Sequence, residues 1–208
     1  MTPPLTLLHS AEVHCKTFDD LRNDIAPSAR ITHEVRADWL ARARHEGMTQ
    51  QLAAEIRKAV KSAPGRVLCT CTTLGEAAVE AGAIRIDQPM MAAAAEGNGA
   101  ILLVCALHST VEPSRDLLAA NLKDAGNTAP VTTLVLEEFW PLFERGDTAN
   151  FCAAIAAAVI EALAARPDFE TVVLAQASMA GAEHLLDGCG ARVLASPELA
   201  LRAALELF

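Results

Sequence analysis

A chain of 208 residues that is 52% hydrophobic and 21% charged can bury one good core or two small lobes, which excludes a disordered or fibrous polypeptide. Its formal charge of -9, from 26 acidic and 17 basic residues, comes without a clustered basic stripe. That excludes nucleic acid as the expected partner and leaves small anions, which local N–H groups can bind. Six cysteines, none in a CxxC spacing, fit free thiols in a reducing cytoplasm, and "MTPPLTLLHS" has neither a basic start nor a long apolar run, so no secretion signal is expected.

In chain order, Leu5–His9 reads as a strand and Thr17–Ile25 as a helix. Ile31–Val35 is the second strand, followed by one long helix over Asp38–Ala63. Strand Arg66–Cys71 leads to helix Gly75–Ala81, and strand Ile84–Asp87 to helix Pro89–Glu96. The second half repeats the alternation: strand Ala100–Leu107, helix Pro113–Ala125, strand Val131–Leu136, helix Asp147–Ala165, strand Thr171–Ala175, helix Gly181–Cys189, strand Arg192–Ala195 and helix Pro197–Leu207. Such alternation predicts an α/β fold with parallel sheets and right-handed crossovers. "AILLVCAL" and "TVVLAQ" are apolar on both faces, as strands covered by helices on both sides must be. "FCAAIAAAVIEALAA", interrupted by Glu161, reads as a buried helix of a soluble protein, and no membrane partner is expected.

The halves are similar. Leu5 through "RVLCTCTTLG" parallels "AILLVCALHST" through "TVVLAQASMAG", each with a strand ending in a small-residue turn before a helix. Two lobes are expected, residues 1–92 with 193–208 carrying Cys71, and residues 93–192 carrying Thr110 and the Gln176 loop, with the strand ends meeting at a cleft.

The stretch "RVLCTCTTLGEAAVEAG" concentrates chemistry where a strand turns into a helix. "TLGE" fits a capping box between Thr73 and Glu76, which puts Cys71 and Thr72 at a helix entrance. Backbone donors and the helix dipole there favour a bound carboxylate and a lowered thiol pKa. Cysteine is also a common buried residue, and Cys69 in mid-strand reads as packing. No metal site is expected, since Cys69 and Cys71 lack both a turn between them and a second pair.

At Cys71–Thr73, "CTT" after an apolar strand resembles the first catalytic-cysteine motif of the aspartate/glutamate racemase superfamily, commonly cysteine-asparagine-threonine. That superfamily also holds hydantoin and allantoin racemases, maleate isomerases and arylmalonate decarboxylases. "ALHST" is similar to its Ala-Thr-x-x-Thr segment, whose final threonine, here Thr110, helps bind a substrate carboxylate. "LLHSAEVH", "IRIDQPM" and "LAQASMA" fall where the family has its first-strand loop, fourth-strand end and second-cysteine loop. The resemblance implies two flavodoxin-like lobes with helices on both sheet faces, a cleft between them, no cofactor, a small anionic substrate and a homodimer. Two thiols in that family flank the carbon next to a carboxylate, one removing the proton and the other returning it.

The chain departs from that pattern, because "VLAQASMA" puts Gln176 at the second cysteine and Ala177 at its threonine. An amide does not exchange a proton as a thiol does. Cys71 alone can protonate a carbanion after decarboxylation, attack an unsaturated diacid, or work opposite His9, His14 or Asp87; loss of catalysis with retained binding is the remaining outcome. The leading reading is a racemase- or isomerase-like enzyme using Cys71 as acid/base or nucleophile. A silent carboxylate-binding protein and a single-cysteine decarboxylase are the alternatives. Thr72, Thr73 and Thr110 are expected to bind the anion, with Gln176 and Ser178 gripping a polar group. His9 and Ser10 close the first strand; Asp87 either caps a helix or faces the cleft; Ser109, with Glu112, fits a capping box. Cys105, Cys152 and Cys189 read as structural.

Overall fold

Residues 4–206 are described by the computed structural model of the chain, and the predicted strands are all present in it. The elements run β1 (Leu5–His9), α1 (Val13–Ile25), β2 (Ile31–Val35), α2 (Ala37–Glu46), α3 (Gln50–Ser62), β3 (Arg66–Cys69), α4 (Thr72–Val79), β4 (Ile84–Arg85) and α5 (Gln88–Ala95). They continue with β5 (Ala100–Cys105), α6 (His108–Asp124), β6 (Val131–Val135), α7 (Trp140–Glu144), α8 (Thr148–Ala165), β7 (Phe169–Leu174), β8 (Arg192–Ala195) and α9 (Ser196–Leu205), with 3-10 turns at Glu137–Phe139, Ala177–Ala182 and His184–Leu186.

Two units result, Met1–Gln88 with Pro197–Phe208, and Pro89–Ser196. The first carries a parallel sheet of order β2-β1-β3-β4, the second a parallel sheet of order β6-β5-β7-β8. β5 therefore repeats β1, β6 repeats β2, β7 repeats β3 and β8 repeats β4, so the internal similarity of the sequence is a repeat of topology. In the first unit, Leu8, Val67 and Cys69 pack on Trp39, Leu52, Ile56 and Leu74 from α2, α3 and α4. Phe18 of α1 lies with His9, 5.6 Å between rings. In the second unit every residue of β5 is buried, and α8 buries the stripe Phe151, Cys152, Ile155, Ala156, Val159 and Leu163. Each Phe, Ile, Val or Leu so buried contributes about 1.5–3 kcal/mol of transfer free energy. Although α8 is long and apolar enough to cross a bilayer by composition alone, that stripe makes it a one-sided core helix, with Ile160 half exposed on its other face.

Several local expectations are corrected. The single helix Asp38–Ala63 is two helices, because Gly47 adopts φ +75 after α2 and the Thr49 hydroxyl accepts from Leu52 N–H at 3.2 Å to cap α3. Gly181–Cys189 is not an α-helix but 3-10 turns. Without a side chain, Gly181 sits against Cys152 of α8, where an added Cβ would meet Sγ at 2.8 Å. α7 has no counterpart in the predicted elements; Trp140, Phe143 and Phe151 stack there at 4.8–6.2 Å, an association no local pattern encodes. β3, β4, β5 and β6 end one or two residues early, as their last residues leave the ladder to enter turns. β8 pairs with β7 through Val193–Val172 and Leu194–Val173, and the second unit runs to Ser196. The expected end of the last helix at Leu207 lies outside the described residues.

Candidate functional site

Thr70 N–H still donates to Leu8 O at 2.9 Å, which extends the β3 edge by one residue and throws the next one, Cys71, to the mouth of the sheet. Cys71 is extended (φ -120, ψ 115) and is the N-cap of α4. The capping box between Thr73 and Glu76 is therefore not formed: Thr72 and Thr73 are the first two helical residues and Glu76 is exposed. Thr72 is buried, Thr73 half-buried. Cys71 is 7% exposed, and burial pushes its thiol pKa up. Hydrogen bonds from the Ser10 hydroxyl and from Leu74 and Thr73 N–H act in the opposite sense, while Asp87 adds to the rise. The lowered pKa expected of a helix entrance is thus corrected, because desolvation outweighs the local donors. Cys69 is fully buried with its thiol 3.6 Å from Cys71 O, and burial drives its pKa up to about 12.

Asp87 sits directly before α5, completely buried, and Arg85 grips it at two points, Nε to Oδ1 at 2.7 Å and Nη2 to Oδ2 at 2.9 Å. Arg85 ends β4 and Asp87 lies in the turn that follows it. Gly75 of α4 makes room for the arginine stem; a Cβ there would lie 2.9 Å from Arg85 Cγ. On the other side of β1, His9 Nδ1 lies 2.7 Å from Thr70 Oγ1 and its Nε2 2.8 Å from His33 Nδ1. Burial, then His14 and His33, lower the His9 pKa to about 3, and burial lowers His14 to about 4. Both rings are neutral at physiological pH.

The second unit repeats the first turn with different chemistry. Ala175 N–H donates to Val104 O at 3.0 Å, as Thr70 does to Leu8, and Gln176 follows as the extended N-cap (φ -125, ψ 142) of the Ala177–Ala182 turn. Gln176 is thereby the topological equivalent of Cys71. Its Oε1 accepts from Ala106 N–H at 2.6 Å and Leu107 N–H at 3.1 Å, with Thr110 Oγ1 at 3.0 Å. These donors fix the amide orientation, so the NH2 points away from them. Thr110 Oγ1 is also 2.7 Å from Leu107 O, and its single proton serves one acceptor at a time. Two N–H groups, joined by the Thr110 hydroxyl when it turns from Leu107 O, thus converge on one oxygen, the arrangement of an anion nest, and a side-chain carbonyl of the same unit fills it.

Ser109 is the second residue of α6, whose N-cap is Leu107, so the expected capping box with Glu112 does not form. Ser178 Oγ is buried without a hydrogen-bond partner, two residues past Gln176. Cys105 is buried with its thiol pushed up to about 11. Of the candidates, Ser10, Cys71, Thr72, Thr73 and Asp87 share the neighbourhood of the α4 entrance, His9 lies behind it through Thr70, and Thr110, Gln176 and Ser178 gather in the other unit. Sequence reasoning missed Thr70, His33, Arg85 and the N–H groups of Ala106 and Leu107. His33 was legible as a polar residue on the alternation Ile31, His33, Val35; Arg85 offered only its nearness in sequence to Asp87, and the N–H groups carry no sequence signal.

No protein-family model matches the chain, and no curated protein matches it. Solved structures do match in fold. Aspartate racemase of Picrophilus torridus superposes with a TM-score of 0.73 at 13% identity, over 98% of this chain and 93% of that one. Allantoin racemase of Pseudomonas fluorescens gives 0.67 at 18% identity, over 98% and 90%. A variant of arylmalonate decarboxylase in a sulfate-associated form gives 0.54 at 16%, over 99% and 93%. The likeness is one of fold: the chain shares a two-sheet parallel α/β architecture with these racemases and this decarboxylase.

Proposed function

We propose that the protein is an enzyme acting at the carbon next to a carboxylate of a small acid, with Cys71 as the proton donor of a one-thiol reaction. The reaction class is loss of CO2 from a carbon bearing two carboxyl groups, followed by protonation. The observation that supports it is the Cys71 thiol, held protonated by burial at the N-cap of α4, while the equivalent residue of the other unit is an amide. A pair of thiols that removes and returns a proton would need a thiolate at rest; a donor needs the opposite.

The retained carboxylate is assigned to the α4 entrance, where the Thr72 and Thr73 residues and the positive end of the helix lie. The bond to the departing CO2 breaks and leaves its electron pair in the retained carboxylate as an enediolate. The Cys71 S–H bond then breaks and its proton forms the new C–H bond. The resulting thiolate faces the Ser10 hydroxyl and the Thr73 and Leu74 N–H groups, the donors that stabilise a negative sulfur, before water reprotonates it.

The test is incubation of the full chain with a panel of 2-substituted malonates in heavy water. CO2 release with one deuterium at the vacated position, lost in Cys71→Ser, is the expected result. Deuterium washing into the α-carbon of a chiral monoacid offered in a parallel incubation, with no CO2 released from the malonates, would replace this reading with proton abstraction. Carboxylate binding without turnover would identify a silent binding protein.

A further inference from the structure

A second cluster of polar groups lies behind the Cys71 turn and has no part in that reaction. His9 of β1 and His33 of β2 project from one sheet face, because Leu7 is the register partner of His33 and strand residues two apart share a face. Cys15, in the first turn of α1, joins them: one donor atom from each of His9, Cys15 and His33 lies within 4.8 Å of the others. The positions 9, 15 and 33 match no ligand spacing a sequence scan would find.

Hydrogen bonds determine how each ring is used. The Thr70 hydroxyl lies 3.1 Å from Leu8 O and 2.7 Å from His9 Nδ1, and its one proton goes to either. When it goes to Leu8 O, Thr70 accepts from His9 Nδ1–H and a lone pair on His9 Nε2 is left 2.8 Å from His33 Nδ1. In that tautomer the contact is attractive only with the proton on His33 Nδ1, which makes His33 Nε2 a bare acceptor. His33 Nε2 is buried without a hydrogen-bond partner, and Asp19 Oδ1, also an acceptor, is 3.5 Å away. The buried nitrogen then faces a second lone pair, on the half-exposed Asp19, in place of a donor, which is an unfavourable arrangement.

A cation between the inward nitrogens removes the conflict. The His33 proton moves to Nε2, where Asp19 can accept it, and both inward nitrogens present lone pairs. We propose that His9, His33 and Cys15 form a binding site for a divalent metal ion of the zinc class. Two imidazoles and a thiolate are donors that zinc takes, with the fourth position left to water. Each imidazole has its outward nitrogen directed at a second group, Thr70 or Asp19, as ligating histidines do. Tetrahedral zinc holds N and S donors about 3.3–3.7 Å apart, so the nitrogens separate by about 0.5 Å and the half-buried Cys15 sulfur moves by about 1 Å. On binding, the Cys15 S–H bond breaks, its proton passes to water and the sulfur bonds the metal. Asp19 and Glu12, whose charges act on Cys15, offset the remaining positive charge. His9 precedes Ser10 and Thr70 precedes Cys71, so a bound ion would stiffen both sides of the candidate thiol.

The experiment is an anaerobic titration of chelator-treated full-length protein with Co2+. One equivalent should give tetrahedral visible bands and a near-ultraviolet thiolate-to-cobalt band, both displaced by Zn2+. Cys15→Ser should abolish the thiolate band and weaken binding by at least about 10–100-fold, the range that loss of even a second-shell partner produces. Cys71→Ser should leave the spectrum unchanged. Absence of a saturable band, as when a proton alone bridges the rings, would overturn the proposal. So would a band that survives Cys15→Ser or disappears in Cys71→Ser.

Discussion

Replacing Gln176 by alanine removes the acceptor on which Ala106 N–H, Leu107 N–H and Thr110 Oγ1 converge. Thr110 keeps Leu107 O as a partner, but the two backbone donors, in a segment that is 0–1% exposed, lose theirs. A buried donor left unmade costs about 1–3 kcal/mol, so the two together cost about 2–6 kcal/mol. Water entering the vacated volume returns part of that, and the expected loss is about 2–4 kcal/mol. The assay is urea unfolding in a Trp39→Phe background, where the remaining tryptophan, Trp140, reports the second unit alone. Gln176→Glu keeps an acceptor, now charged and at the α6 entrance, and should stay within about 1 kcal/mol of the parent or exceed it. Formate should raise the unfolding midpoint of Gln176→Ala and leave the parent unmoved. A Gln176→Ala protein within about 0.5 kcal/mol of the parent without added carboxylate would refute the filled-nest interpretation.

Alkylation of Cys71 by iodoacetamide should be slower than that of free cysteine at neutral pH and should climb at alkaline pH, since burial raises its pKa; a rate above free cysteine would show an activated thiolate. The folded state resists ionising Cys69 and Cys105, whose pKa values rise to about 12 and about 11. Their contribution is complete below the unfolded thiol pKa and lost as pH rises towards the folded values, and urea midpoints at about pH 10 should show a deficit of about 1.4 kcal/mol per thiol. Arg85→Met strands the wholly buried Asp87 carboxylate and should destabilise the first unit by about 3–5 kcal/mol, read from Trp39 fluorescence in a Trp140→Phe background. Gly75→Ala, pressing on Arg85 Cγ, should cost about 1–3 kcal/mol in the same assay.

Strand positions were legible in two ways: β1, central and wholly buried, is a short apolar run bounded by turn residues, while the edge strands β2 and β8 are short segments of β-branched and apolar residues between turns; all three occupy their predicted residues. The equivalence of Cys71 and Gln176 was legible for the same reason: the position after a central strand is set by where the apolar run stops. The sequence alone thus determined the two-sheet fold, the repeat and the thiol at a helix entrance. Tertiary structure decided what those groups are chemically. The pKa of Cys71 depends on how much protein covers it, and local helix-entrance chemistry pointed the other way. Gln176 became the occupant of a nest only when β7 paired beside β5 and brought residues 70 apart into contact. His9, Cys15 and His33 meet only through the β1–β2 register and the packing of α1. Burial and long-range hydrogen bonding are sums over residues distant in sequence, so no local window holds them.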